Sequence, residues 1–189
     1  MAGAAERLME ADEFLAWCAK QEGRYELVDG EIVAMAGASD RHDQIVVNIT
    51  AALHGRLKGK PCRPRSADFA VRTKRRIMRR PDVLVDCGDR RNDMLEASQP
   101  TAVFEVLSPS TRQIDLVKKL NEYRALAGLL GIVLIEQAAA DVVVYSRNSS
   151  DENWTELNLQ GLDGVIELAS LSVSLPMTEI YADVAFDPE

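Results

Sequence analysis

Pro81-Asp82-Val83-Leu84-Val85-Asp86-Cys87 and Thr101-Ala102-Val103-Phe104-Glu105-Val106-Leu107 decide the fold of this 189-residue chain. Each is a short, nearly continuous apolar run, which suits a strand buried on both faces. Pro81 fits the first position of such a strand, where a missing N–H is tolerated. Ser108-Pro109-Ser110-Thr111 then stops the second run and opens a helix predicted over 112–127. Downstream, strands are predicted at 131–136, 141–147 and 154–157. An alternating stretch over 166–175 ends at Pro176.

Working upstream, 58–65 holds Gly59, Pro61 and Pro64 and reads as a loop. A strand follows at 68–73, with the basic link Lys74-Arg75-Arg76-Ile77-Met78-Arg79-Arg80 between it and Pro81. Earlier still, Tyr25-Glu26-Leu27-Val28, Asp29-Gly30 and Glu31-Ile32-Val33-Ala34-Met35 form a hairpin pattern. Asp-Gly tolerates the positive φ that a type I′ turn requires. Ser39 or Asp40 can cap a helix running to about Leu57, with Ile45, Ile49, Ala52 and Leu53 on one face. Phe14, Leu15, Trp17 and Cys18 sit near helical spacing within 10–21. These elements predict a mixed α/β sandwich around one sheet, a single domain over 10–184 behind a frayed N-terminus at 1–9.

Composition narrows the function classes. Apolar residues make up 47% and charged residues 28%, as in an ordinary globular protein. No apolar run is long enough to span a bilayer, and the first residues lack the basic-then-apolar pattern of a signal peptide. Cys18, Cys62 and Cys87 show no CxxC spacing. Reduced thiols in a cytoplasmic protein are therefore predicted, with no membrane partner. The net charge of -8 argues against a generic nucleic-acid coat. That average hides an asymmetry: 56–80 carries eleven Lys or Arg and one acid, whereas 136–189 carries eleven acids and one base. A local basic stretch can receive a polyanion on an acidic body, and it can equally be a solvated charge run.

Two acids stand out. Asp82 opens one apolar run and Glu105 lies inside the other, where a carboxylate is costly unless paired or bound to a metal. On adjacent strands the two could hold Mg²⁺, which takes one or two carboxylates plus water and phosphate oxygens. Alternatively, each pairs with an arginine or caps a strand end. Lys119 shares a helical face with Asp115 and Tyr123. It either pairs with Asp115 on the surface or points a cation at the acids. A P-loop, a dinucleotide-binding glycine motif, a zinc pattern and a nucleophile elbow are all absent.

The hairpin string around Glu26, His42 ahead of an apolar helix, Pro81-Asp82-Val83, Phe104-Glu105-Val106-Leu107-Ser108-Pro109-Ser110-Thr111, and Asp115…Lys119-Leu120…Tyr123 together resemble the Uma2 family over roughly 8–182. The resemblance implies a restriction-endonuclease-like fold, a mixed β-sheet flanked by helices with extra β-hairpins. It also implies a place in the PD-(D/E)xK nuclease superfamily. Asp82 and Glu105 then correspond to the two acids of that motif. Its lysine is absent, because position 107 is Leu, and the resemblance transfers that role to Lys119. Glu26 and His42 match positions near the implied site, and each also has a structural reading, as a hairpin residue and a helix cap. After the helix the chain departs from the family pattern, with Leu130-Gly131-Ile132 where members often carry an acidic-aromatic pair.

Two functions follow as expectations. In the first, the protein is a nuclease that hydrolyses nucleic acid, with DNA the expected substrate and RNA left open, and with Mg²⁺ or Mn²⁺ at Asp82 and Glu105. Lys119 serves the nucleophile, and Lys74, Arg75, Arg76, Arg79 and Arg80 grip the nucleic-acid backbone from an exposed loop. In the second, the fold is a catalytically silent nucleic-acid-binding or protein-interaction module, with a homodimer as one form it can take.

Overall fold

The computed structural model describes residues 8–108 and 114–186; the side chains of 114 and 115 also lie outside the described residues. The central layer is a six-stranded sheet in the order β10-β9-β8-β7-β6-β3. Its strands are β3 (Arg63–Ser66), β6 (Val83–Asp86), β7 (Pro100–Leu107), β8 (Gly131–Glu136), β9 (Asp141–Ser146) and β10 (Thr155–Gln160). β7 and β8 run parallel, joined through helix α3 (Ile114–Arg124), and every other pairing in this sheet is antiparallel. The two deciding stretches are therefore two of its four interior strands, β6 and β7.

Alternation along those strands builds two cores. Val83, Val85, Ala102, Phe104 and Val106 face helix α2 (Asp40–Leu57) and pack on Ile45, Ile49 and Leu53. Leu84 and Val103 point the other way, into a core with Tyr123, Leu116 and Leu120 of α3. Each fully buried side chain of this size contributes roughly 1.5–3 kcal/mol, so both faces hold the sheet. Ser39 caps α2 by accepting from the His42 N–H, 3.2 Å.

A second sheet, β2-β1-β5-β4, consists of β1 (Tyr25–Val28), β2 (Glu31–Ala34), β4 (Val71–Lys74) and β5 (Ile77–Arg79). Helix α1 (Ala11–Cys18) lies against it through Phe14, Leu27 and Met78. The β1–β2 turn has φ of 52° at Asp29 and 91° at Gly30, the positive pair expected of Asp-Gly. A third, two-stranded sheet, β11 (Val165–Leu168) and β12 (Val173–Pro176), leads into the short helix α4 (Met177–Ile180) and closes the α2-side core. Gly131 opens β8 where a Cβ would lie 3.3 Å from Ala102 Cβ and 3.1 Å from Leu168 Cδ2, so a larger residue would force neighbours apart.

Several expectations are corrected. Among the described residues the strands form three sheets where one was expected, because the N-terminal hairpin pairs with β5 inside the basic link and the 165–176 hairpin pairs with itself. The loop at 58–65 ends in β3, an edge strand, where Pro64 is tolerated. The link 74–80 contains β5, so only its turn at Arg75 and Arg76 projects. The stretch 166–175 is a hairpin broken by a 3-10 turn at Ala169–Leu171. Cys62 and Cys87 form a disulfide, against the expectation of three reduced thiols; pairing across β3 and β6 brings together residues far apart in sequence. Among the described residues no helix is long and apolar enough to cross a membrane. The frayed terminus falls mostly on 1–7, and the expected start of the third helix on 109–113, both outside the described residues.

Candidate active site

Glu105 reaches the site because β7 alternates: Val103 lies in the α3-side core, so Glu105, two residues on, faces α3 as well. β6 pairs with β7 as Val83↔Phe104 and Leu84↔Val103. Continued by one residue, that register sets Asp82 opposite Glu105. Asp82 Oδ2 accepts from the Val106 N–H at 2.8 Å, which fixes it beside that strand. Its other neighbour comes from α2, whose first turn presents His42, with Nε2 3.2 Å from Asp82 Oδ2.

From α3, Lys119 and Tyr123 enter together, one helical turn apart. Tyr123 donates its hydroxyl to Glu105 Oε1 at 2.7 Å, and Lys119 Nζ lies 3.8 Å from that same oxygen. Lys119 Nζ is also 3.3 Å from Glu26 Oε1 of β1. The Asp115 side chain lies outside the described residues, but Lys119 faces the acids, with its side chain only 15% exposed. Lys118, by contrast, pairs with exposed Asp29 at 2.7 Å.

A second layer holds the first. Buried Arg79 bonds Glu26 Oε2 at 2.9 Å and grips Glu122 with two bonds of 2.7 and 3.1 Å. The Arg80 N–H donates to Glu26 Oε1 at 2.9 Å, while its guanidinium caps the carbonyls of Tyr25, Ala67 and Asp68. Arg79 and Arg80 are thus internal, and the expectation that they form an exposed grip is corrected. Guanidinium groups can be buried when every donor meets an acid or carbonyl, and here the acids of β1 and α3 supply partners. Arg75 and Arg76 lie at the turn but both pair with Glu10. Lys74 is exposed.

Charge in this cluster is strongly perturbed. Burial raises the Glu105 carboxyl to about 7; nearby Lys119 opposes the rise, and the charges of Asp82 and Glu26 add to it. Burial and the Glu105 charge push the Tyr123 phenol well above its ordinary range, so it remains a donor. Burial works against a charged His42, yet the hydrogen bond and charge of Asp82 outweigh it and raise the imidazole above its usual value.

The donor set suits a hard divalent cation. Asp82 and Glu105 offer carboxylate oxygens from neighbouring strands, and each keeps one oxygen outside the hydrogen bonds above. Among the described residues no group of three or more His, Cys, Asp or Glu is placed to hold a metal ion, so the candidate site rests on two carboxylates. Two carboxylates with open positions are the kind of site Mg²⁺ uses when substrate oxygens complete its shell.

All five expected site residues, Glu26, His42, Asp82, Glu105 and Lys119, converge. Sequence reading missed Arg79 as their internal counter-ion and Glu122 as its second anchor. Three acids, Glu26, Asp82 and Glu105, set against a single recognised lysine were a usable signal, because enclosed carboxylates call for further counter-charge.

Comparison with known proteins identifies relatives of the chain. The sequence profile of the family described as "Uma2: Putative restriction endonuclease" matches residues 11–178. Two proteins of Synechocystis sp. (strain ATCC 27184 / PCC 6803 / Kazusa) are similar. slr1290 is 31% identical over 180 residues, covering 94% of each chain. sll1609 is 25% identical, covering 92% of this chain and 99% of its own. In three dimensions the chain is similar to the crystal structure of "a putative nuclease belonging to DUF820" from Anabaena variabilis ATCC 29413. The TM-score is 0.72 at 18% identity, covering 92% of this chain and 98% of that one. That likeness bears on the fold, a mixed sheet flanked by helices.

Proposed function

The chain belongs to the Uma2 family, and from that premise we propose that it is a metal-dependent phosphodiesterase that hydrolyses nucleic acid, with DNA as the favoured substrate. The observation that carries this reading is the convergence on Glu105: a buried acid opposite Asp82, with Lys119 Nζ 3.8 Å away.

Asp82 and Glu105 would hold a divalent cation, Mg²⁺ or Mn²⁺, which supplies a water of lowered pKa and neutralises the scissile phosphate. The protein's own groups do the rest. Lys119 brings a fixed positive charge to the point where negative charge accumulates on the phosphate or the attacking oxygen. Glu26 orients Lys119, and Arg79 holds Glu26 in place. Tyr123 locks one oxygen of Glu105, so the carboxylate presents the other in one orientation. His42 does the same for Asp82, and its raised pKa lets it carry a proton toward a leaving oxygen.

The test is a cleavage assay on plasmid, single-stranded DNA and RNA, with Mg²⁺, Mn²⁺ or EDTA. Cleavage that needs the cation supports the reading. Tight binding with no cleavage in any condition would replace it with the catalytically silent module.

A further inference from the structure

With Arg79 and Arg80 internal, the expected phosphate grip must come from elsewhere. The edge strand β3 carries Arg63 and Arg65, which pair across to Asp86 and Leu84 of β6. Directly opposed residues share a face. Arg65, Leu84 and Val103 therefore form one row across β3, β6 and β7, on the α3 side, and Glu105 lies two residues further along that same face. Two strand spacings of about 4.8 Å and two residues of about 3.3 Å put the Arg65 and Glu105 backbones roughly 12 Å apart. A long arginine side chain closes much of that gap.

Arg65 differs from the other arginines near it. Arg63 is committed, bonding Asp86 Oδ2 at 3.0 Å and the carbonyls of Gly88 and Asp89. The Arg65 guanidinium makes no hydrogen bond or ion pair among the described residues, and its Nε is buried without a partner. The guanidinium carbon lies 4.7 Å from the centre of the Phe69 ring, which orients the planar fork. Burial and the like charges of Arg63 and Arg90 disfavour its charged form, against a smaller pull from Asp86. An anion would relieve both the missing hydrogen bonds and the repulsion. The Cys62–Cys87 disulfide ties the start of β3 to the end of β6, so the row is held rigidly.

We propose that Arg65, flanked by Arg63 and Arg90, is a phosphate anchor that takes a backbone phosphodiester neighbouring the one held at Asp82 and Glu105. The identity of the ligand strand rests on the nuclease reading above. A guanidinium fork matches two phosphate oxygens at once, and such contacts set register without reading sequence.

The experiment measures binding of a fluorescent DNA duplex to the full chain in EDTA, by anisotropy, across a salt series. Wild type is compared with Arg65→Gln, Arg65→Lys and Arg24→Gln, the last an exposed control. Arg65→Gln should weaken binding several-fold and flatten the log-affinity against log-salt slope by about 0.9, the loss of one phosphate contact. Arg65→Lys should restore most of the slope, and Arg24→Gln should keep it. An unchanged slope in Arg65→Gln, or an equal loss in Arg24→Gln, overturns the anchor. If Arg65→Gln loses the slope but wild type never cleaves with Mg²⁺, the nuclease reading falls and the anchor stands. If wild type cleaves and the slope is unchanged, the anchor alone falls. A wild type that binds no nucleic acid overturns both.

Discussion

Replacing Glu105 with Gln should stabilise the metal-free protein. Gln keeps an acceptor for the Tyr123 hydroxyl but carries no charge into a site only 8% exposed. Burial raises the Glu105 carboxyl to about 7 from an ordinary value of 4.5. A rise of that size corresponds to about 3 kcal/mol disfavouring the ionised form. The sign follows from linkage: an acid with a raised folded pKa gives its full stability below about 4.5 and loses it as pH rises to about 7. Glu105→Gln should therefore match wild type near pH 4, pull ahead between 4.5 and 7, and hold a constant lead above that. In a chain of this size the lead is roughly 6–12 °C in melting temperature. Thermal melts by circular dichroism in EDTA, at several pH values, measure it. A Gln variant equal to or less stable than wild type at pH 8 would refute the picture of a buried carboxylate held ionised for function at a cost in stability.

Lys119→Met should lower any cleavage rate about a hundredfold or more while the chain stays folded by circular dichroism, whereas Lys118→Met, which breaks only an exposed pair with Asp29, should cleave normally and cost under about 1 kcal/mol. Equal rates in both variants would remove lysine from the mechanism. Arg79→Met leaves Glu26 and Glu122 buried without their shared cation and should cost about 3–5 kcal/mol, read as a lower urea midpoint; a neutral effect would show that the acids do not depend on it. Reducing Cys62–Cys87, which closes a loop of 25 residues, should lower stability by about 3 kcal/mol, and a melting temperature indifferent to reductant would argue against the bond.

The strands that carry the site were legible because a strand buried on both faces has a sequence pattern of its own, as 83–86 and 101–107 show. The hairpin at Asp29-Gly30 was legible from turn chemistry. β3 and β5 were not. Arg63-Pro64-Arg65-Ser66 has no apolar residue, and Ile77-Met78-Arg79 is too short to show alternation; both exist because partner strands satisfy their backbones. At the site, Asp82 and Glu105 stood out as acids in apolar runs, and Lys119 by its helical face. Arg79 looked like one more member of a basic run, since burial of a charge depends on acids contributed by β1 and α3, far away in sequence. The disulfide was hidden for a similar reason, because cross-strand register brings Cys62 and Cys87 together and spacing does not.

The most direct test of the central claim is the single-turnover rate of phosphodiester cleavage in Mg²⁺ by wild type and by Asp82→Asn, measured on the same labelled DNA. Asp82→Asn keeps an acceptor for the Val106 N–H but removes half of the charge offered to the cation. The account predicts a wild-type rate that EDTA abolishes and a loss of at least about a hundredfold in the variant. Cleavage by Asp82→Asn at the wild-type rate would contradict it.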